Sequence, residues 1–184
     1  MGNIIRKIIY LSLGIIDTYI IKQRNQIVIL SYHSVAADNW KYGVSFSTLK
    51  NQINYLKKKF DFISLSDLHA YILGEKTIRR PSLVVTFDDG YKDILQTREY
   101  FKIQKINPTL FLIADTKDAN YKELATKRPF LNKQEVLSLV NSGWEIGSHT
   151  NTHANLRELN EKVMREEVIN SKITLEKFFS TVTI

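Results

Sequence analysis

The chain contains no cysteine. Disulfides and thiolate metal ligands are therefore excluded, and the redox character of its compartment leaves no mark on the sequence. No tandem repeat or low-complexity tract is visible. Histidine is scarce, with four residues at positions 33, 69, 149 and 153, and the glutamate of the helical His-Glu-x-x-His zinc signature is missing. No apolar run reaches the ~20 residues needed to cross a bilayer. Residues 4–21 come nearest, rich in Ile and Leu behind Arg6 and Lys7, but Asp17 breaks the run and residues 8–16 are its longest uninterrupted part. No small-residue cleavage site follows before Lys22-Gln23-Arg24, so a cleavable signal peptide is not expected. The segment is expected to form an amphipathic helix that packs on the rest of the chain or touches a membrane surface, with an uncleaved anchor as the lesser alternative.

What is present begins with length and charge. At 184 residues and 43% hydrophobic the chain can bury one core, and nothing divides it further. The expected organisation is a segment over residues 1–26 and one folded domain over 27–184. The net charge is +7 and the isoelectric point near 9.5. Lys57-Lys58-Lys59 and Arg79-Arg80 are the compact basic clusters, and a solvated face is their default reading. A basic surface would also approach teichoic acids, anionic glycans or anionic lipid heads, and charge does not choose among them. No nucleic-acid partner is expected.

Strand-like and helix-like segments alternate, which predicts an α/β protein with a mainly parallel sheet. Strands are expected at residues 27–32, 62–64, 82–87, 109–113 and 144–147, with a last one beginning at 181–184. Ser45 is placed to cap a helix with Phe46, Leu49, Ile53, Leu56 and Phe60 on its apolar face. Further helices are expected at 66–73, ended by Gly74, at 91–105, from Asn132 to the stop at Gly143, and from Asn160 with Met164, Val168, Leu175 and Phe178 on one face. Residues 115–130 read as a long polar loop able to cover a site.

Two stretches carry chemistry. Thr86-Phe87-Asp88-Asp89-Gly90 ends the apolar run Leu83-Val84-Val85, so two carboxylates project from a strand end and Gly90 permits a sharp turn. One carboxylate can bind a cation while its neighbour takes a proton from water that the cation activates. Gly147-Ser148-His149-Thr150-Asn151-Thr152-His153 supplies two imidazoles four residues apart, which share a face if the segment curls into a helical turn. One Asp and two His give three ligands with open positions, as a catalytic metal requires. Asp-Asp-Gly alone is common turn chemistry, and His-x-x-x-His alone is weak; their pairing is what points to a metal hydrolase. His69, in Ser66-Asp67-Leu68-His69-Ala70-Tyr71, reads as a surface or packing residue.

With Leu30-Ser31-Tyr32-His33-Ser34-Val35 upstream, these motifs resemble the polysaccharide deacetylase family, carbohydrate esterase family 4, over residues 27–184. The likeness is greatest to the branch of biofilm poly-N-acetylglucosamine deacetylases, where a Tyr-His element precedes the Asp-Asp motif. The resemblance implies a seven-stranded (β/α) barrel and removal of N-acetyl groups from a polysaccharide. It implies Asp88 as general base, one divalent ion, Zn by preference, on Asp89, His149 and His153, and His33 as general acid. A strand-end histidine bonded to backbone is the other reading of His33. The resemblance also implies the cell envelope or a membrane-associated place.

The family's third motif, an Arg with Pro and an aromatic, follows the His motif, whereas here the chain ends at Ile184. Lys127-Arg128-Pro129-Phe130 imitates it but precedes His149, and reads as a loop leading into a helix. The barrel is thus expected to be incomplete, with little activity from these residues alone. A catalytically inactive fragment and a metal-binding protein without catalysis stay open as alternatives, and the oligomeric state is undetermined.

Overall fold

A computed structural model describes residues 26–38, 40–124 and 126–179. The expected membrane-contacting segment at 4–21 and the strand at 181–184 lie outside these. Among the described residues, no helix is long and apolar enough to cross a membrane.

Strand β1 (Ile27–Tyr32) is followed by two short strands, β2 (Ser34–Val35) and β3 (Gly43–Val44), which pair with each other. Helix α1 (Phe46–Leu56) starts at Ser45, whose hydroxyl accepts from the Thr48 amide at 3.1 Å. Leu49 and Ile53 are its buried residues; Phe60, expected on its face, lies beyond its end but still reaches the core. Next come β4 (Asp61–Phe62), α2 (Leu65–Ile72) and β5 (Ser82–Phe87). The strand expected at 62–64 is displaced, because Ser64 turns its side chain to the Asp67 amide and caps α2.

All six residues of β5 are buried, as its unbroken apolar run predicts for a central parallel strand. It pairs in parallel with all of β1 on one side. At its start it pairs with β4, and at Thr86 and Phe87 with β6 (Thr109–Leu112). Strand β7 (Glu145–Ser148) extends the sheet beyond β6, so the five strands are all parallel. The main core cluster takes alternate residues of β5, Leu83, Val85 and Phe87, which share one face of the sheet, together with Phe101, Leu110 and Trp144. Each fully buried side chain of this size contributes roughly 1.5–3 kcal/mol.

The expected helix at 91–105 forms in two pieces, a 3-10 segment (Lys92–Thr97) and α3 (Arg98–Gln104), ended by Lys105 in the left-handed region. Thr97 sits at the join and bonds its hydroxyl to the Ile94 carbonyl at 2.7 Å, in competition with regular helix bonding. The polar loop after β6 is not wholly a loop. It contains one helical turn, α4 (Tyr121–Leu124), and buries Ala119 and Leu124 with Tyr91 and Ile113 in a small second cluster. Helix α5 (Lys133–Val140) opens with a capping box between Asn132 and Glu135.

Helix α6 (Glu161–Phe179) departs from the expected face. Val168 and Phe178 are half exposed, while Ser171 and Leu175 are buried. The inward row is mixed because part of it meets polar partners: Ser171 Oγ lies 2.5 Å from Ser148 Oγ at the end of β7.

Glu145 ties the sheet to α2. Its carboxylate accepts from the amide of Leu65 at 3.0 Å, from that of Ser66 at 3.3 Å, and from Thr109 Oγ1 at 3.0 Å. Glu145→Ala leaves these donors unpaired and should lower stability by about 1–3 kcal/mol in urea unfolding. A midpoint equal to that of the parent chain would show the three bonds to be dispensable.

Candidate active site

Parallel strands align their C-terminal ends, and side chains from three of those ends meet here. Asp88 and Asp89 follow β5, His149 follows β7, and His33 follows β1. The register Ser31↔Thr86 and Tyr32↔Phe87 sets β1 level with β5, and the Asp88 amide donates to the Tyr32 carbonyl at 2.9 Å.

The turn after β5 is forced. Asp89 has φ 70° and Gly90 φ 83°, and a Cβ on Gly90 would stand 2.6 Å from Leu112 Cδ2. Asp89, a residue type that tolerates the left-handed region, is thereby swung inward to a side-chain exposure of 4%. On β7, Gly147 faces Phe111 across the ladder, where a Cβ would strike the ring.

Asp89 Oδ1 lies 3.3 Å from His149 Nε2 and 3.4 Å from His153 Nε2. It is buried, yet it makes no hydrogen bond. These spacings match a tetrahedral ion: ligands at ~2.0–2.2 Å from a common centre stand roughly 3.3–3.6 Å apart. An orphaned buried carboxylate oxygen facing two imidazole nitrogens is thus a donor set that fits a divalent cation. Among the described residues, this is the group with metal-binding geometry. The two imidazoles do not converge through a helical turn as the four-residue spacing suggested. Residues 149–153 form an irregular loop, with Thr150 at φ 66° and His153 at φ 58°. For β-branched Thr150 this conformation is a strained one, held by the surroundings.

The charges are coupled. Burial disfavours ionised Asp89, but the neighbouring His149, His153 and His33 outweigh it and hold the carboxyl below its usual range. Burial likewise disfavours the His149 imidazolium, and Asp89, followed by Asp88, outweighs it and raises that group above its ordinary value. At 3.3 Å without hydrogen-bond geometry, the attraction is that of close charges. His153 is lowered, chiefly by burial.

Asp88 is placed differently. It stays a fifth exposed and accepts from Ser31 Oγ at 2.7 Å, while His33 Nε2 stands 3.9 Å from the same carboxylate oxygen. His33 stacks on Tyr42, with ring centroids 5.1 Å apart. Five predicted residues, Asp88, Asp89, His149, His153 and His33, therefore lie at one end of the sheet. His69 is exposed on α2, away from them in the fold.

Sequence reasoning missed the supports. Arg128 pairs with Asp38 and Asp93 and lies over the Trp40 ring. Asp93 also accepts from Ser34 Oγ at 2.6 Å and the Val35 amide at 3.0 Å, fixing the strand just after His33. Phe130 stacks on Tyr91 next to the Asp-Asp turn, and the Leu131 amide donates to the Gly90 carbonyl at 2.9 Å. The Arg-Pro-Phe stretch is a loop into α5, as expected, but it also lies against the turn that presents Asp89.

Solved structures share this fold. IcaB from Ammonifex degensii has a TM-score of 0.72 at 20% identity, over 87% of this chain and 72% of that one. Streptococcus pyogenes deacetylase PplD in complex with acetate has the same score and identity, over 86% and 71%. A de-N-acetylase from Aggregatibacter actinomycetemcomitans follows at 0.70 and 17% identity, over 85% and 76%. At such identities the likeness is one of fold. No curated protein matches the chain. The polysaccharide deacetylase family model matches residues 75–183, well over half the sequence and both motifs that build the site. By that match the chain belongs to the polysaccharide deacetylase family, on an α/β fold of that family's barrel type.

Proposed function

We propose that this protein is a metal-dependent de-N-acetylase acting on acetylamino sugars within a polysaccharide, with Asp89, His149 and His153 as ligands. The observation that carries the reading is the buried, unbonded Asp89 Oδ1 held 3.3 and 3.4 Å from two imidazole nitrogens. Two nitrogens and one oxygen suit Zn²⁺, which is the ion we assign. When bound, such an ion supplies Lewis acidity towards the acetyl carbonyl and lowers the pKa of water.

The chain's own groups do the rest. Asp88, more exposed than Asp89 and held by Ser31, takes a proton from the attacking water. His33 gives a proton to the departing sugar nitrogen; at 3.9 Å from Asp88 its Nε2 makes no hydrogen bond there and is free to reach substrate. The amide C–N bond breaks, releasing acetate and a free amino sugar. Resemblance to the Tyr-His branch supports poly-N-acetylglucosamine as the glycan and the cell envelope as the location.

Acetate release from N-acetylglucosamine oligomers, with Zn²⁺ added or chelated, tests the reading. Release should depend on metal, and His33→Ala should reduce it by about 10²–10⁴-fold with metal content unchanged. Stoichiometric metal with no acetate would favour the metal-binding alternative.

A further inference from the structure

The loop that carries both imidazoles is tied down on two sides. The carbonyls of Thr150, Asn151 and Thr152 accept from the amides of Ala114, Asp115 and Asn120, at 3.1, 2.8 and 2.7 Å. The His153 amide donates to Thr150 Oγ1 at 3.0 Å. Two successive amides of the loop meet one carboxylate on α6. Asn151 N donates to Glu167 Oε2 at 3.0 Å and Thr152 N to the same oxygen at 2.9 Å, while Thr152 Oγ1 donates to Glu167 Oε1 at 2.9 Å.

Successive amides aimed at one point form a small anion-binding concavity. Here the anion belongs to the chain itself. The concavity lies between Thr150 and His153, the two loop residues with positive φ. Left-handed backbone at such residues is strained and persists only where the surroundings over-determine it. Three bonds to an ionised acceptor are a sufficient source, since charged hydrogen bonds are worth about twice neutral ones.

We propose that Glu167 is a positioning residue for the metal centre. It is not a ligand; it holds the 149–153 loop in the strained form that brings His149 and His153 onto Asp89. The proposal rests on the metal-site reading above. Its consequence is that metal affinity is set partly from the surface of α6, at a residue that touches neither imidazole.

The test uses the full chain, stripped of metal and titrated with Zn²⁺ alone, together with amide hydrogen exchange of the metal-free protein. Glu167→Ala should weaken Zn²⁺ binding by about 10–100-fold, the usual cost of a lost outer-shell support. It should also speed exchange in peptides covering 149–153 while those covering β5 and β6 keep their protection. Glu167→Gln keeps an oxygen for the two amides and can donate to Thr152 Oγ1, so affinity should return to within about threefold of the parent.

Unchanged exchange of the loop in Glu167→Ala would overturn the proposal, as would parental Zn²⁺ affinity in that variant. Equal loss in the Ala and Gln variants would also overturn it, because the hydrogen-bonding account requires rescue. A parent chain that binds no Zn²⁺ would sink the metal-site reading and this proposal's consequence with it. The exchange arm would still decide whether Glu167 clamps the loop.

Discussion

Asp88→Asn should yield a protein that keeps its metal and loses turnover by about 10²–10⁴-fold, the usual contribution of a general base. The expectation follows from how differently two adjacent carboxylates are placed. Asp89 is turned inward by its left-handed backbone, almost fully buried and aimed at two imidazoles. Asp88 continues the line of β5, stays partly exposed and accepts from Ser31. Asparagine is nearly isosteric and keeps an oxygen for the Ser31 hydroxyl, so the local structure should survive while basicity is removed. The measurement is acetate release beside metal content by elemental analysis. Full activity in this variant would move the base to another residue, and lost metal would mean that the carboxylates had been assigned in the wrong order.

Why the residues gathered at the candidate site were legible in the sequence, and their supports were not, has a physical explanation. Ligands and bases must be Asp and His, are few, and must sit at strand ends, so a chain with four histidines leaves little choice. Supports are chosen by geometry alone. Ser31, Tyr42, Asp93 and Glu167 are ordinary residues whose roles depend on neighbours 57, 9, 35 and 15 or more positions away, such as Ser31 on Asp88 and Glu167 on Thr152. Arg128 shows the same limit. Its order in the chain argued against the third family motif, and contact across the fold, with Asp93 and Trp40, is what gives it a place beside the site.

The fold was legible where burial and capping agree. β1 and β5 fall where the apolar runs place them, and α5 begins at its capping box. The errors lie where a side chain competes with the backbone pattern. Ser64 caps a helix where a strand was expected, and Thr97 divides a helix in two. On α6 hydrophobic spacing points to Val168 and Phe178, but the inward row includes Glu167 and Ser171, whose work is polar.

His149→Ala should abolish stoichiometric metal binding, a larger loss than the ~10–100-fold expected of an outer-shell change, because one of the three proposed ligands disappears. The same residue fixes how binding depends on pH. In the metal-free site His149 is raised above its ordinary value, burial opposing and Asp89 outweighing, while His153 is lowered. Metal therefore competes with a proton for His149 when it binds. Affinity should fall as pH falls, and the fall should begin above the pH at which an unperturbed imidazole would charge. For the metal-free chain the sign is opposite. A histidine raised on folding contributes stability that is fully present below its unfolded value and is lost as pH rises through the folded one. Zn²⁺ titrations at a series of pH values follow this competition. An affinity that does not fall as pH falls would show that His149 does not meet the ion, and undiminished metal in His149→Ala would remove the residue from the ligand set altogether.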